Sequence, residues 1–123
     1  MITLNSRLIF LSRVGLVVCI IVVTALTVLP LNEFPPAENI NDKVSHLLAF
    51  LALALVADYS FPDKSFLIPK GIPLLAYGIG IEVVQYFIPY RSFSVLDMVA
   101  DGSGLIVYMM FMPLLNRLVI RPS

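Results

Sequence analysis

Gly78-Ile79-Gly80-Ile81-Glu82-Val83-Val84-Gln85-Tyr86-Phe87-Ile88-Pro89 is the stretch whose reading decides the fold. It is apolar up to a proline except at Glu82 and Gln85, which stand three residues apart and so share one face of a helix. An acid within such a run is costly in lipid and has to look into a bundle or a water-filled cavity.

Working outward, the rest of the chain follows the same plan. Hydrophobic residues make up 59% of the 123 residues and charged residues only 13%, about half the charged share of a soluble domain. The chain therefore reads as an integral membrane protein. Four apolar stretches can be traced, from about Leu8 to Leu29, Val44 to Phe61, Phe66 to Ile88 and Phe93 to Leu115, with breaks at Pro30, Pro35 and Pro36, at Pro62 and at Pro89. Each approaches the roughly 20 residues a membrane-spanning helix needs. The expected fold class is all-α, a four-helix transmembrane bundle forming one domain over residues 1–123.

Arg7 and Arg13 before the first apolar run resemble the start of a secretory signal. That run is longer than a signal core, and no small-x-small cleavage site follows it, so it is read as a retained helix. Placing the N-terminus inside puts Arg7, Arg13, Lys64, Lys70, Arg117 and Arg121 in the cytoplasm and leaves Lys43 and Arg91 outside. The positive-inside rule thus favours both termini cytoplasmic in a multi-pass plasma-membrane protein. A formal net charge of +0 gives no general attraction to nucleic acid. Cys19, the single cysteine, reads as a small packing residue.

This topology gathers the chemistry at one end. Asp42 and His46 begin the second helix, Glu82 and Gln85 lie within two turns of Pro89, Arg91 is in the following loop, and Asp97 and Asp101 open the fourth helix. Spacings of i, i+4 and i, i+3 turn each pair to one face, so three polar faces imply a shared cavity in the outer leaflet. Gly78, Gly80, Gly102, Ser103 and Gly104 allow close helix packing around it.

The candidate catalytic residues are His46, Glu82 and Asp97; the candidate substrate-binding residues are Asp42, Lys43, Gln85, Arg91 and Asp101. His46 alone has an ordinary pKa near neutrality, as a general base or proton carrier requires. Glu82 suits acid/base work or metal ligation. Arg91 has the planar fork that grips phosphate or carboxylate. Each has a structural alternative: His46 and Gln85 as interhelical hydrogen-bonders, Glu82 as the partner of Arg91 or His46, Asp97 as a helix cap, Arg91 as an interfacial residue beside Tyr86 and Tyr90, and Asp42 with Lys43 as an exposed pair. Asp58, Asp63 and Lys64 are assigned to the inner loop and its turn. Nucleotide-binding, zinc-protease and hydrolase motifs are missing from the sequence, so an enzyme here would work with one histidine and several carboxylates; the cofactor is left open, a hard divalent cation that prefers oxygen being one option.

Asp42-Lys43-x-x-His46-x-x-x-Phe50, Glu82-x-x-Gln85-x-x-x-Pro89-x-Arg91 and Asp97-x-x-Ala100-Asp101-x-x-Gly104 together resemble the three signature blocks of the VanZ-like family. The resemblance spans about Asp42 to Tyr108. It implies a small polytopic bacterial membrane protein of the cell envelope, with a possible effect on susceptibility to the glycopeptide antibiotic teicoplanin. Asp101 and Tyr108 depart from the family's pattern, in which Asn and a second glycine are common.

The expected function is binding or modification of a lipid-linked or cell-wall precursor at an outward-facing site in contact with membrane lipids. A small proton-coupled carrier and a non-catalytic assembly subunit are the alternatives. The sequence leaves open whether the chain is an enzyme, and its oligomeric state.

Overall fold

A computed structural model describes the backbone over residues 2–28, 40–87 and 95–120, and side chains over 3–26, 43–87 and 95–119. Its helices are α1 (Ser6–Val28), α2 (Ile40–Ser60), α3 (Ile72–Tyr86, preceded by a π-helical turn at Leu67–Gly71) and α4 (Val95–Leu118). All four helical segments are long and apolar enough to cross a membrane. The expected stretches are thus helices, with limits shifted by a few residues.

Local chemistry sets several of these limits. Asn5 caps α1, its Oδ1 accepting from the Leu8 amide at 3.0 Å, which satisfies one of the amides a helix start leaves open. At the end of α2, the Ser60 hydroxyl folds back to the Val56 carbonyl at 2.5 Å, and Phe61 precedes Pro62, which disfavours continued helix. The third stretch is not a plain α-helix. Pro69 lacks an amide and Pro73 would crowd the carbonyl four residues back. The backbone widens instead: the Phe66 carbonyl accepts from both Lys70 and Gly71, at 3.0 and 2.8 Å, and the Ile72 amide reaches Leu67. A π turn passes the prolines without ending the span.

α2 packs most extensively, against α4 and α1, while α3 lies against α4 and more loosely against α1. Gly104 makes the α2–α4 approach possible, since a Cβ there would sit 2.4 Å from the Leu47 carbonyl oxygen. The core between these helices holds Phe50, Leu53, Ala54, Ala57, Leu74, Leu105 and Tyr108, with Phe66 of the preceding loop. The outer faces are apolar: Phe10, Val17, Ile21, Leu48, Ile68, Val99, Met110 and Phe111 are all exposed, as suits surfaces that meet lipid rather than water. Beyond the helices, Ile2–Thr3 (β1) pairs in parallel with Val119–Ile120 (β2), joining the two ends of the described chain. They meet at the end of the bundle where α2 stops.

At that end the structure corrects the assignment of Asp58 to a loop. It belongs to α2, is fully buried, and accepts from Lys70 Nζ at 2.6 Å and from the Tyr108 hydroxyl at 2.5 Å. Lys70, also buried, donates further to the Asp58 and Lys64 carbonyls at 3.1 and 2.9 Å. The Arg13 Nε donates to the Ser60 carbonyl at 2.9 Å, and its guanidinium lies 5.1 Å over the Phe61 ring. This ties α1 to one of the carbonyls left open where α2 ends.

Candidate functional site

At the opposite end, three helices contribute to a second polar cluster. His46, one turn into α2, is half-buried, Glu82 on α3 is fully buried, and Asp97 and Asp101 at the start of α4 are both buried. Helical periodicity aligns each contribution. Glu82 and Gln85 lie on the buried face of α3, and Asp97, Ala100, Asp101 and Gly104 form one buried stripe on α4.

His46 connects two acids. Its Nδ1 lies 2.9 Å from Asp101 Oδ1, a hydrogen bond, and its Nε2 lies 3.6 Å from Asp97 Oδ2. Asp97 uses its other oxygen, Oδ1, in an ion pair with Lys43 of α2. One ligand atom each from His46, Glu82 and Asp97 lies within 4.8 Å of the other two. These are the three residues the sequence singled out for catalysis. Three carboxylates, one ammonium and one imidazole are therefore crowded among the described residues.

The neighbouring glycines differ in role. A Cβ on Gly78 would stand 2.9 Å from Asp101 Oδ2 and 3.0 Å from Phe50 Cζ, so a bare α-carbon there makes room for the Asp101 carboxylate. Gly80 meets nothing within 4 Å. It lines an open cavity of about 330 Å³ between α1 and α3, walled also by Thr24, Tyr77, Ile81 and Val84. Ile81 of that groove directly precedes Glu82 of the polar cluster. The Tyr77 hydroxyl donates to the Ile20 carbonyl at 3.1 Å and hydrogen-bonds Thr24.

Of the candidate binding residues, Lys43, Gln85 and Asp101 belong to this cluster or its buried face. Lys43 reaches from α2 to Asp97 of α4, with 19% of its side chain accessible. Arg91 and the side chain of Asp42 lie outside the described residues. Sequence reading missed Lys70 and Tyr108, which reach a buried acid at the other end. Lys70 was counted as a loop charge, although a lysine in a proline-broken apolar run is itself a signal of burial beside an acid.

No family model matches the chain, and no solved structure matches it. Among curated proteins it is similar to an uncharacterized protein of the fission yeast Schizosaccharomyces pombe, with 39% identity over 77 residues, covering 58% of this chain and 47% of the relative. The chain spans about half the length of the curated relative it matches. These findings overturn the VanZ-like resemblance, and with it the grounds for a bacterial source and a link to glycopeptides. The resemblance rested on Asp, His and Glu at spacings of three and four, and helical periodicity imposes those spacings wherever a buried polar face must be built into a membrane helix. What the chain has is four candidate membrane-spanning helices and, at one end of them, a cluster of buried Glu82, Asp97 and Asp101 with half-buried His46.

Proposed function

We propose that this chain is a membrane protein that binds, and through His46, Glu82 and Asp97 acts on, the polar headgroup of a lipid or lipid-linked substrate. The observation that carries the reading is that acids from α3 and α4 and an imidazole from α2 meet at one end of the bundle, with Glu82 fully buried. Ionisable groups at such depth are costly and mark functional sites more often than packing devices. The apolar groove beside Ile81 supplies a place for an acyl or prenyl chain whose headgroup reaches the cluster. The basic residues Arg7, Arg13, Lys64 and Arg117 at the Ser60 end favour placing that end in the cytoplasm and the site toward the opposite face of the plasma membrane.

A proton-coupled carrier is the second reading, because Asp58 provides a buried acid at the far end of the bundle. Phe50, Leu53, Ala54, Leu74 and Leu105 fill the space between the two ends, and such an apolar layer offers a proton no path. A purely structural cluster is the third. It predicts that Glu82→Gln is mild, since hydrogen bonding survives when the charge is lost.

The deciding experiment is native mass spectrometry of the protein extracted from membranes in mild detergent. A co-purifying lipid in the wild type that is lost in His46→Ala, at unchanged membrane abundance, is the expected result. Equal lipid retention in both, or a variant that simply disappears from the membrane, would reject the headgroup reading.

A further inference from the structure

We infer that Arg13 and Lys64, at the turn where α2 ends, form a docking site for the phosphate of an anionic membrane lipid. The site lies at the opposite end of the bundle from His46 and is independent of the function proposed there. Three observations carry it.

First, Arg13 is held in place with its fork unused. Its Nε donates to the Ser60 carbonyl at 2.9 Å, and the guanidinium lies 5.1 Å over the Phe61 ring. These contacts fix the plane of the group, and neither occupies the two terminal nitrogens, the donors that grip phosphate side by side. The side chain is exposed, and among the described residues no acid pairs with it. An arginine already ordered by its own chain loses little freedom on binding, so more of the contact energy appears as affinity.

Second, another cation stands at the same turn. The Lys64 amide donates to the Phe61 carbonyl at 3.0 Å, beside the ring that Arg13 covers, and the Lys64 carbonyl accepts from the buried Lys70 ammonium at 2.9 Å. The backbone of Lys64 is thus anchored, while its side chain is exposed and makes no hydrogen bond or ion pair among the described residues. Arg7 and Arg117 are exposed at this end too, where the pairing of Ile2 with Val119 joins the start of α1 to the end of α4. Among the described residues, Asp63 is the one exposed acid here. A surface of that sign attracts an anionic headgroup and gains nothing from the net charge of a zwitterionic one.

Third, the depth is that of lipid phosphates. The apolar part of α2, Lys43–Ser60, has 18 residues, a length of about 27 Å that nearly matches the roughly 30 Å hydrocarbon layer. Ser60 therefore stands at the edge of that layer, where headgroups begin. Phe10, one turn before Arg13 on α1, and Leu67 and Ile68, just after Lys64, are exposed apolar side chains. They give the tails of the lipid a surface to lie along, which a soluble phosphate would not need.

The test offers the protein, purified in mild detergent, an equimolar mixture of phosphatidylglycerol and phosphatidylcholine with the same acyl chains. Bound lipids are read by native mass spectrometry. A preference for phosphatidylglycerol is expected in the wild type. Lys64→Gln, whose side chain supports no contact in the fold, should reduce that preference about fivefold, the effect of one base near an anionic surface. Arg13→Lys keeps the charge and loses the fork, and should reduce it at least as much. Arg7→Gln, about 9 Å further along α1, should change it less.

Equal uptake of the two lipids by the wild type, or a preference that Lys64→Gln leaves unchanged, overturns the inference whether or not the Arg13 variant folds. So does a wild-type preference in Arg13→Lys, which would leave only a diffuse positive field. A preference lost in His46→Ala and kept in Lys64→Gln would move the anionic lipid to the other end of the bundle. Excess inorganic phosphate should not displace the lipid; if it does, the turn takes free phosphate and the lipid assignment falls.

Discussion

The bundle buries ionisable groups at both ends, and the two clusters are built on opposite principles. At the Ser60 end one lysine meets one aspartate, a tyrosine hydroxyl takes the second carboxylate oxygen, and backbone carbonyls take further donors of the ammonium. The pair is buried, and its polar atoms are met within the bundle. At the His46 end the described residues Glu82, Asp97 and Asp101 gather with Lys43 and His46 from three helices, and Gly78 makes room for the Asp101 carboxylate. The first cluster fastens α2 to the π turn and to α4 as a lock; the second is, on the proposed function, a place where a ligand binds.

The largest effect should come from opening the lock. Lys70→Met leaves Asp58 buried without its ammonium, and removing one partner of a buried pair costs about 3–5 kcal/mol. A thermal melt in detergent should fall sharply or lose cooperativity. Replacing both partners, with Asp58→Leu beside Lys70→Met, should recover most of the loss, because an apolar pair carries no desolvation cost. A neutral Lys70→Met would end the distinction between the two clusters. Tyr108→Phe tests the same lock more gently, removing a hydrogen bond to a carboxylate worth about 1.5–3 kcal/mol.

Backbone proximity supplies the next contrast. Gly104→Ala drives a methyl to 2.4 Å from the Leu47 carbonyl oxygen, and since backbone on both sides must move, a cost of about 1–3 kcal/mol is expected. Gly80→Ala enters open space and should be neutral or stabilising by up to about 1 kcal/mol, because alanine favours helix over glycine. Equal melting temperatures for the two variants would show that α2 and α4 are not held at this distance by Gly104.

These contrasts also show what could be read in advance. The four spans were legible because a lipid-crossing helix requires a long apolar run, and the gathering of His46, Glu82, Asp97 and Asp101 followed from helix order and the spacing of polar residues. The close approach at Gly104 was legible too, as small residues in a span have few other uses. The π turn before α3 was not, because Pro69 and Pro73 within an apolar run fit equally a break, a kink or a widened turn. Nor was the Lys70–Asp58–Tyr108 lock. Its members are 12 and 50 residues from Asp58 along the chain, and lysine near a span end reads first as a loop charge. The family resemblance misled for the opposite reason: its short polar blocks are what periodicity alone produces.

The smallest expected change in stability is the one that most sharpens the comparison. Glu82→Gln keeps the side-chain shape and an acceptor while removing one negative charge from the cluster. If that cluster were a second lock, losing the charge would break a pairing and lower the melting temperature, as Lys70→Met does. If it is a site kept for a ligand, losing the charge should leave the melting temperature unchanged or raise it, within about 1 kcal/mol, as expected where functional sites cost stability. Lipid retention should be lost in the same sample. Stability and binding would then move independently on substitution of a single atom type, which a fastening role for Glu82 does not allow.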